Sequence, residues 1–376
     1  MSWKTVTIGD VCTIVNGGTP KSEVSEYWDG DLNWITPKEM GKLTSREITS
    51  TERKITEKGI KNSSAKLLPI NSVILSSRAP IGHLAINKSL MATNQGCKGL
   101  VPSEKLNYEY LYYFLSHSKQ LLNDMGSGAT FKELSGSKLA TVEIPLPPIA
   151  TQQKIVAKLD AIFAEIDKAT AAAEANAKNA EALFQSYLTE VFERGGEDWG
   201  IYTIKDLIKI RSGDFLPAKN MVIDGVIDVY GGNGVSGKHN VHNLSGENII
   251  IGRVGAKCGN VRLVAGDVWV TDNAFYVSEY KKNISKEFLS VALELKNLRT
   301  LANQMAQPVI SFTTIKDAEI KVPDSLETQI EFLKIKNFLE LQIKIIKDSF
   351  IKKSELLNLL RQAILKQAFS GELVKE

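Results

Sequence analysis

A glycine-rich segment in the second half of the chain comes closest to a catalytic motif. Gly232, Gly234 and Gly237 match the spacing of a dinucleotide-binding turn, and the segment from Gly232 to Lys238 nearly matches a phosphate-binding P-loop. A P-loop needs Ser or Thr after its lysine to hold Mg²⁺, but His239 stands there. The residues that follow form a poor helix start, so no helix N-terminus would face a phosphate. The sequence therefore favours a glycine-rich turn, near a DNA backbone or simply in a loop.

Two histidines have a spacing that suits a metal ion if further ligands lie nearby. His239 and His242 are spaced H-x2-H, but no Cys or carboxylate sits at ligand spacing from them. They are expected to be exposed loop residues. The chain also lacks an Asn/Asp-Pro-Pro-Tyr segment, a convincing methyl-donor loop and a recognisable nucleophile–base pair. The sequence therefore predicts no catalytic residues and no metal site in this chain.

Two long stretches of helical periodicity must position whatever surfaces the chain uses. Apolar residues recur at alternating steps of four and three in 151–194 and again in 326–369. A 4-3 repeat keeps one seam of a helix facing one partner, so the pattern predicts a coiled coil. Asn176 and Leu183 fall on the first seam, where Asn176 is expected to fix the helix register. Domain order favours antiparallel pairing, although a generic dimerisation coil fits the same pattern.

The chain also repeats itself. The segment from Trp199 aligns with the segment from Trp3 at an offset of 196, and Thr271 with its next three residues aligns with Thr93 at an offset of 178. A near-constant offset indicates tandem duplication of one unit, a globular domain followed by a long helix. The predicted segments are a domain at 1–150, a helix at 151–195, a domain at 196–325 and a helix at 326–376.

Composition limits the class of protein. A chain of 376 residues with 43% hydrophobic and 24% charged residues is typical of a globular protein with two or more domains. Three scattered cysteines and the lack of an apolar run long enough for a bilayer predict reduced thiols, a cytoplasmic location and no membrane contact. The net charge of +3 gives no support for nucleic-acid binding, so any DNA-binding surface must come from local clustering.

A duplicated chain with antiparallel helices has a natural closed arrangement. Its two domains would lie at opposite ends, related by a pseudo-twofold axis. Duplex DNA is the obvious target for a protein that reads two separated half-sites. The predicted fold class is α+β, with two pseudo-symmetric globular α/β domains separated by two long antiparallel coiled-coil helices.

Several stretches together resemble the specificity subunit of type I restriction-modification systems. They are Gly-Gly-Thr-Pro at 17–20, Ser-Arg-Ala-Pro-Ile-Gly at 77–82, Glu-Ile-Pro-Leu-Pro-Pro at 143–148 and the C-terminal segment 360–374. The resemblance covers the whole chain, and the motifs occur in the family's order. The second domain departs from the pattern, because Ser-Gly-Asp-Phe stands at 212–215 where Gly-Gly-Thr-Pro would be expected.

The resemblance implies a division of labour. The domains at 1–150 and 196–325 would be target-recognition domains, each reading one half of a split site on double-stranded DNA. The helices would be spacers that dock modification subunits, two in number, and they would act as a ruler whose Ala-rich stretch 170–182 can change length. Adenine methylation with S-adenosylmethionine, and ATP- and Mg²⁺-dependent translocation and cleavage, would belong to the modification and restriction subunits. No cofactor is therefore expected in this chain, and the departure at 212–215 predicts an asymmetric target.

The predicted DNA contacts are polar loop residues at equivalent places in the two repeats. Lys and Arg bind phosphates, while Arg, Asn, Gln and Lys side chains read base edges. A structural role stays open for each of them, and Arg78 and Arg253 in particular can pair with an acidic neighbour. The predicted contacts are Lys21, Ser77, Arg78, Asn94, Gln95 and Thr130 in the first domain and Lys219, Arg253, Lys257, Asn273 and Gln307 in the second.

Two other functions stay open at this point. One is a stand-alone DNA-binding regulator that reads a split site without partner enzymes. The other is an enzyme that uses the glycine-rich segment 232–238 for ATP. Adjacent methyltransferase and helicase–nuclease genes would favour a specificity subunit over the regulator, and a test of nucleotide binding by the purified chain would decide on the enzyme.

Overall fold

The computed structural model describes residues 3–78, 80–128, 132–303 and 308–374. The chain is organised as two compact units, one formed by Met1–Ala173 with Ile351–Glu376 and the other by Glu174–Phe350. Each unit contains one globular repeat together with a part of each of two long helices.

Short strands and short helices make up the first globular repeat. Its strands are β1 Thr5–Thr7, β2 Cys12–Asn16, β3 Trp28–Ile35, β4 Glu47–Ile48, β5 Lys54–Ile55, β6 Val73–Ser77, β7 Ile81–Asn87, β8 Met91–Thr93, β9 Cys97–Pro102 and β10 Glu143–Pro145. Its helices are α1 Ile8–Val11, α2 Pro37–Met40, α3 Glu57–Lys61, α4 Tyr108–His117, α5 Lys119–Met125 and α6 Gly136–Ala140. The first long helix, α7 Ile149–Arg194, follows.

The strands of the first repeat form three sheets. A five-stranded sheet has the order β2-β9-β6-β7-β4, a second sheet has the order β5-β3-β8, and β1 pairs with β10. β6 lies between two antiparallel neighbours and is buried at all of its positions, because Val73 and Leu75 pack into one apolar cluster and Ile74 into another. Helix α4 packs on this sheet, so its Tyr110, Leu111 and Phe114 share one core with Val73 and Leu75 of β6.

The second repeat has the same kind of content. Its strands are β11 Trp199–Thr203, β12 Ile208–Ser212, β13 Ile227–Gly231, β14 Gly234–His239, β15 Asn248–Gly252, β16 Val261–Val264, β17 Val268–Val270, β18 Ala274–Tyr280 and β19 Glu319–Pro323. Its helices are α8 Ile204–Leu207, α9 Lys286–Leu295 and α10 Phe312–Ile315, followed by the second long helix, α11 Leu326–Ser370.

The two repeats share their topology. The first and last strands of each repeat pair antiparallel, as β1 with β10 and β11 with β19, and the smaller sheet of each repeat contains a parallel pair, β3 with β8 and β13 with β17. The first repeat has a second parallel pair, β4 with β7, at the edge of its larger sheet. A capping box opens the first short helix of each, formed by Thr7 with Asp10 and by Thr203 with Asp206. The duplication predicted from the sequence is therefore confirmed.

A buried glutamine joins the start of each long helix to its repeat. Gln152 Nε2 donates to the carbonyl oxygens of Pro147 at 2.8 Å and Lys105 at 2.9 Å, and Gln152 Oε1 accepts from the N–H of Asn107 at 2.8 Å. Gln329 makes the corresponding bonds to a proline carbonyl and to the N-cap of α9 in the second repeat. Because Asn107 caps α4, this bond ties the direction of α7 to that of α4.

The long helices run antiparallel within the unit that holds the first repeat. Lys158 Nζ donates to the carbonyl oxygen of Leu373 at 2.7 Å, and further along α7 Asp167 accepts from Arg361. The guanidinium of Arg361 also lies 4.8 Å from the centre of the Phe163 ring. Residue numbers thus rise along α7 as they fall along α11, which confirms the predicted direction.

The same direction holds within the unit of the second repeat. Glu181 of α7 accepts from Lys347 of α11, and the rings of Phe192 and Phe332 lie 5.2 Å apart. Both rings also contact Phe288 of α9, at 5.3 and 5.4 Å. This aromatic cluster anchors both long helices to the second repeat, because each large ring that leaves water contributes about 2–3 kcal/mol.

The buried seam of α7 does not follow the predicted heptads along its whole length. Leu183 was predicted on the seam but is 72% exposed, and Asn176 is exposed, while Phe184 and Ala177 are buried in their place. An 11-residue repeat matches the 3.6-residue turn of a straight helix more closely than a heptad does. Because Asn176 is exposed, its predicted role in fixing the helix register is wrong. Four buried positions follow the 11-residue step, at Ile155, Ile166, Ala177 and Leu188.

Candidate nucleic-acid interface

A glycine turn between β2 and β3 organises the polar surface of the first repeat. The N–H of Gly17 donates to Cys97 O at 3.2 Å and that of Gly18 to Thr93 O at 2.8 Å. A Cβ atom at Gly17 would lie 2.0 Å from the carbonyl oxygen of Asn94, so no side chain fits there. Trp34 Nε1 closes the turn by donating to Gly18 O at 2.9 Å. The Gly-Gly pair is therefore required by the close approach of two backbone segments.

This turn brings three of the predicted DNA contacts together. Asn94 Nδ2 donates to Thr19 Oγ1 at 2.8 Å, and Thr19 Oγ1 in turn bonds to Gln95 Oε1. Lys21 lies on the same turn, where its carbonyl oxygen accepts from Trp28 Nε1 at 3.1 Å. Gln95 and Lys21 are exposed. Because Gln95 Oε1 accepts from Thr19, Gln95 would meet a ligand with its Nε2 donor.

Arg53 lies beside this turn and was missed by the sequence analysis. Its guanidinium lies 4.1 Å from the ring centre of Trp28 and 5.0 Å from that of Trp34. The two rings contact each other edge to face at 5.1 Å. Stacking on aromatic faces holds a guanidinium in one orientation and leaves its N–H donors free to bind an acceptor. No short motif marks Arg53, because its neighbours in space are distant in sequence.

Two other predicted contacts, Arg78 and Ser77, are in different surroundings from the residues at this turn. Arg78 Nη1 lies 3.9 Å from Glu133 Oε2, and Lys98 Nζ lies 3.7 Å from Glu133 Oε1. Glu133 is therefore the acidic neighbour with which Arg78 pairs, the alternative that the sequence analysis gave for this residue. Ser77 is 0% exposed, and its Oγ has no hydrogen-bond partner among the described residues. A side chain without exposed area does not reach DNA, and the structure does not support Ser77 as a contact. Thr130 lies outside the described residues.

In the second repeat, Arg253 and Asn273 come together. The N–H of Arg253 donates to Asn273 O at 2.9 Å, and Arg253 Nη1 donates to Asp272 O at 3.4 Å. The guanidinium also lies 5.4 Å from the ring centre of Phe275. The Asn273 side chain is exposed. Gln307 lies outside the described residues.

Asn233 gathers two further cations near that pair. The N–H of Lys257 donates to Asn233 Oδ1 at 3.1 Å, and Arg262 Nη2 donates to Asn233 O at 3.2 Å. Arg262 was missed by the sequence analysis, because it lies on β16 and reaches Asn233 only through the fold. Lys219 is exposed in a short 3-10 turn, Ala218–Asn220.

The segment that resembled a P-loop is a β-hairpin. β13 and β14 pair across the turn at Gly231 and Gly234, and Lys238 Nζ lies 2.6 Å from Asp228 Oδ1 on the facing strand. The His239 ring packs edge-on against Trp269 at 5.3 Å. In the described ranges, no group of three or more His, Cys, Asp or Glu side chains is arranged to hold a metal ion.

The family comparison matches both halves of the chain. The family model described as the type I restriction modification DNA specificity domain matches residues 1–176 and again residues 196–353. The chain belongs to this family. As a specificity subunit it has two target-recognition domains, one in each repeat, and the predicted resemblance is confirmed. No helix in the described part of the chain combines the length and hydrophobicity needed to span a bilayer.

Several curated relatives are named as type I restriction enzyme specificity subunits. The type I restriction enzyme MjaIX specificity subunit of Methanocaldococcus jannaschii is 34% identical in an alignment of 238 positions that covers 59% of this chain and 55% of that subunit. The EcoprrI specificity subunit of Escherichia coli is 26% identical in an alignment of 342 positions that covers 86% of this chain and 84% of that subunit. The alignment thus spans little more than half of the first relative and most of the second.

Solved structures agree on the fold. A chain from a study of complex assembly and conformational transition of the type I R-M system gives a TM-score of 0.76 at 18% identity, covering 99% of this chain and 98% of that one. The HsdS subunit of Thermoanaerobacter tengcongensis gives 0.60 at 17% identity, covering 99% and 97%. The α+β class with two repeats and two long helices is therefore confirmed.

Proposed function

We propose that each repeat reads one half of an asymmetric, bipartite DNA target. The observation that carries the proposal is the match of the DNA specificity family to each of two repeats that share one fold. In both repeats, exposed amide and cationic side chains lie near one turn, which follows β2 in the first repeat and β12 in the second. These side chains are Gln95 and Arg53 in the first repeat and Asn273 and Lys257 in the second. Such side chains bind phosphates and base edges.

The asymmetry of the target is supported by the difference between the two turns. Thr19 bonds to Asn94 and Gln95 in the first repeat. In the second repeat the N–H groups of Gly213 and Asp214 make the bonds that those of Gly17 and Gly18 make in the first, which shifts the sequence alignment by one residue. The structural equivalent of Thr19 is therefore Phe215, which is 74% exposed. Surfaces of different chemistry select different base edges, so the two half-sites should differ in sequence.

We also propose that this chain is not itself catalytic. The curated relatives are named as subunits of restriction enzymes, which implies partner chains. Two modification subunits would supply adenine methylation with S-adenosylmethionine, and restriction subunits would supply ATP- and Mg²⁺-dependent cleavage. This chain would then bind none of these cofactors and would contribute target selection.

The long helices are the proposed docking surface for the modification subunits. In the unit of the second repeat, Phe338, Leu341 and Ile345 of α11 are between 53% and 60% exposed. Their spacing of three and four residues places them on one face of the helix. A row of exposed apolar side chains on one face is typical of a protein–protein contact.

A domain exchange tests the proposed function. Residues 1–150 would be replaced by the equivalent domain of a relative with a known target, and the methylated sites would be mapped in a host that expresses the partner subunits. We expect one half of the methylated sequence to change and the other half to persist. A change in both halves, or sites that are not bipartite, would contradict the proposal, and exchange of 196–325 provides the reciprocal control.

A further inference from the structure

The second repeat has an apolar turn that the fold does not use for packing. Phe215 is 74% exposed and Val235 is 55% exposed, and both line an open groove with a volume of about 680 Å³. The polar side chains of Asn233, Asp272 and Asn273 line the same groove. An exposed phenylalanine beside convergent polar groups indicates a binding surface more than a packing element.

The backbone holds Phe215 in this position. The N–H of Gly213 donates to Ala274 O at 3.1 Å, and that of Asp214 donates to Val270 O at 2.9 Å. A Cβ atom at Gly213 would lie 2.1 Å from the Val270 oxygen, so the turn is pinned against β17 as tightly as the turn at Gly17 is pinned in the first repeat. The residue after Asp214 is therefore presented from a fixed backbone.

The charge around the groove indicates the kind of occupant. Lys257 and Arg262 both bond to Asn233, and Arg253 bonds to the backbone of Asp272. The guanidinium groups of Arg253 and Arg262 thus lie beside residues that line the groove, and Lys257, which is exposed, bonds to Asn233 through its backbone N–H. Positive charge beside apolar and amide walls suits an anionic backbone that carries flat apolar groups. Asp272 contributes a carboxylate to the lining of the groove, and a carboxylate accepts hydrogen bonds from base amino groups.

We infer that Phe215 and Val235 contact the 5-methyl groups of thymine in the half-site read by the second repeat. Thymine is the base whose major-groove edge carries a methyl group, and apolar side chains are its usual partners. The first repeat offers Thr19 at the equivalent place, a smaller side chain whose hydroxyl is bonded to Asn94 and Gln95, and should be much less sensitive. The inference rests on the proposed function, because it assigns a base preference to a surface that the proposal places against DNA.

The test uses deoxyuridine, which pairs like thymine but lacks the methyl group. The bipartite site is first mapped by methylation sequencing, and duplexes are made with deoxyuridine in place of thymine in one half at a time. Binding is then measured with the full chain in complex with its modification subunits. We expect substitution in one half only to weaken binding by about fourfold for each contacted methyl group.

Variants assign that effect to the turn. Phe215→Ala should weaken binding to the thymine duplex by roughly tenfold and reduce the difference between thymine and deoxyuridine, and the double variant Phe215→Ala, Val235→Ala should abolish that difference. Ile223→Ala is the matched control, because Ile223 is 95% exposed and does not line the groove. This variant should keep the deoxyuridine effect in full.

Several outcomes would overturn the inference while leaving the proposed function intact. They are a mapped half-site without an A·T pair, equal binding of thymine and deoxyuridine duplexes, and a Phe215→Ala variant that retains the difference in full. A variant that binds DNA normally but fails to assemble with the modification subunits would show that Phe215 contacts protein instead. If the wild-type complex showed no sequence-selective DNA binding, the proposed function itself would be refuted.

Discussion

At the scale of single residues, buried amides fix each globular repeat to its long helix. Gln152 is 0% exposed and Gln329 is 1% exposed, and each satisfies its polar atoms with backbone groups of the adjoining repeat. A buried amide without such partners is strongly unfavourable, so the native arrangement is selected over others in which the helix is rotated or shifted. These residues therefore position the long helices, and replacing them should lower the free energy of unfolding.

Replacing Gln152 with Ala should destabilise the unit of the first repeat by about 2–3 kcal/mol, because two carbonyl groups and one N–H lose their partner. The measurement is denaturant unfolding followed by circular dichroism. Gln153→Ala is the matched control, since Gln153 is exposed and its loss should change stability by less than about 0.5 kcal/mol. Equal effects of the two substitutions would contradict the assigned role.

The buried thiols predict a loss of stability at alkaline pH. Burial raises the pKa of Cys12 and of Cys97 from 9.0 to about 12. In the unfolded chain these thiols ionise near pH 9, so their stabilising contribution is complete below pH 9 and is lost as the pH rises towards 12. We expect the melting temperature to fall between pH 9 and pH 11, and to fall less in the double variant Cys12→Ser, Cys97→Ser. A parallel fall in both proteins would contradict this explanation.

At the scale of elements, the long helices carry two kinds of apolar surface. One is buried against the repeats and the partner helix, at positions such as Leu188 and Phe332. The other is exposed, at positions such as Phe338 and Leu359. A single helix with both surfaces is suited to hold the fold on one side and to meet another protein on the other.

Adjacent residues on α7 test the position of the seam. Phe184 is 7% exposed and belongs to the core of the second repeat's unit, whereas Leu183 is 72% exposed. Phe184→Ala should lower the free energy of unfolding by about 3 kcal/mol, because it leaves a cavity. Leu183→Lys should change it by less than about 0.5 kcal/mol. A heptad seam through Leu183 predicts the reverse order, so thermal unfolding of the two variants decides between the registers.

At the scale of the whole molecule, duplication places two copies of one specificity domain in a single chain. Each compact unit combines one repeat with parts of both long helices, so neither helix belongs to a single unit. The two repeats keep their sheet order apart from one additional strand, β4, in the first, but they differ in the chemistry of their turns. This combination suits a protein whose two targets vary independently while the framework stays the same.

The ruler hypothesis gives a prediction for this framework. Inserting four residues within 170–182 of α7 would add about 6 Å of helix. We expect the number of unspecified base pairs between the half-sites to increase, while both half-sites keep their sequences. Methylation mapping of the variant is the measurement, and a four-residue insertion in the loop 241–246 is the control. An unchanged spacer in a folded, active variant would refute the hypothesis.

The sequence by itself determined the duplication, the two long helices and the family, because repeats, helical periodicity and ordered motifs are properties of the linear chain. It also placed Asn94, Gln95 and Asn273 correctly in loops of equivalent repeats. Only the tertiary structure decided which side chains meet. The bond from Thr19 to Gln95 spans 76 residues of sequence, a separation that no local pattern reports.

The same limit explains the departures from prediction. Ser77 sits in a motif that looks exposed in the sequence, but the fold buries it within a central strand. Arg53 and Arg262 have no motif, yet aromatic rings and a distant asparagine carbonyl position them at the candidate interface. Heptad counting misplaced part of the α7 seam because the faces of a straight helix drift relative to a strict seven-residue repeat. Burial and long-range contacts depend on how distant segments pack, and that packing is decided by the whole chain at once.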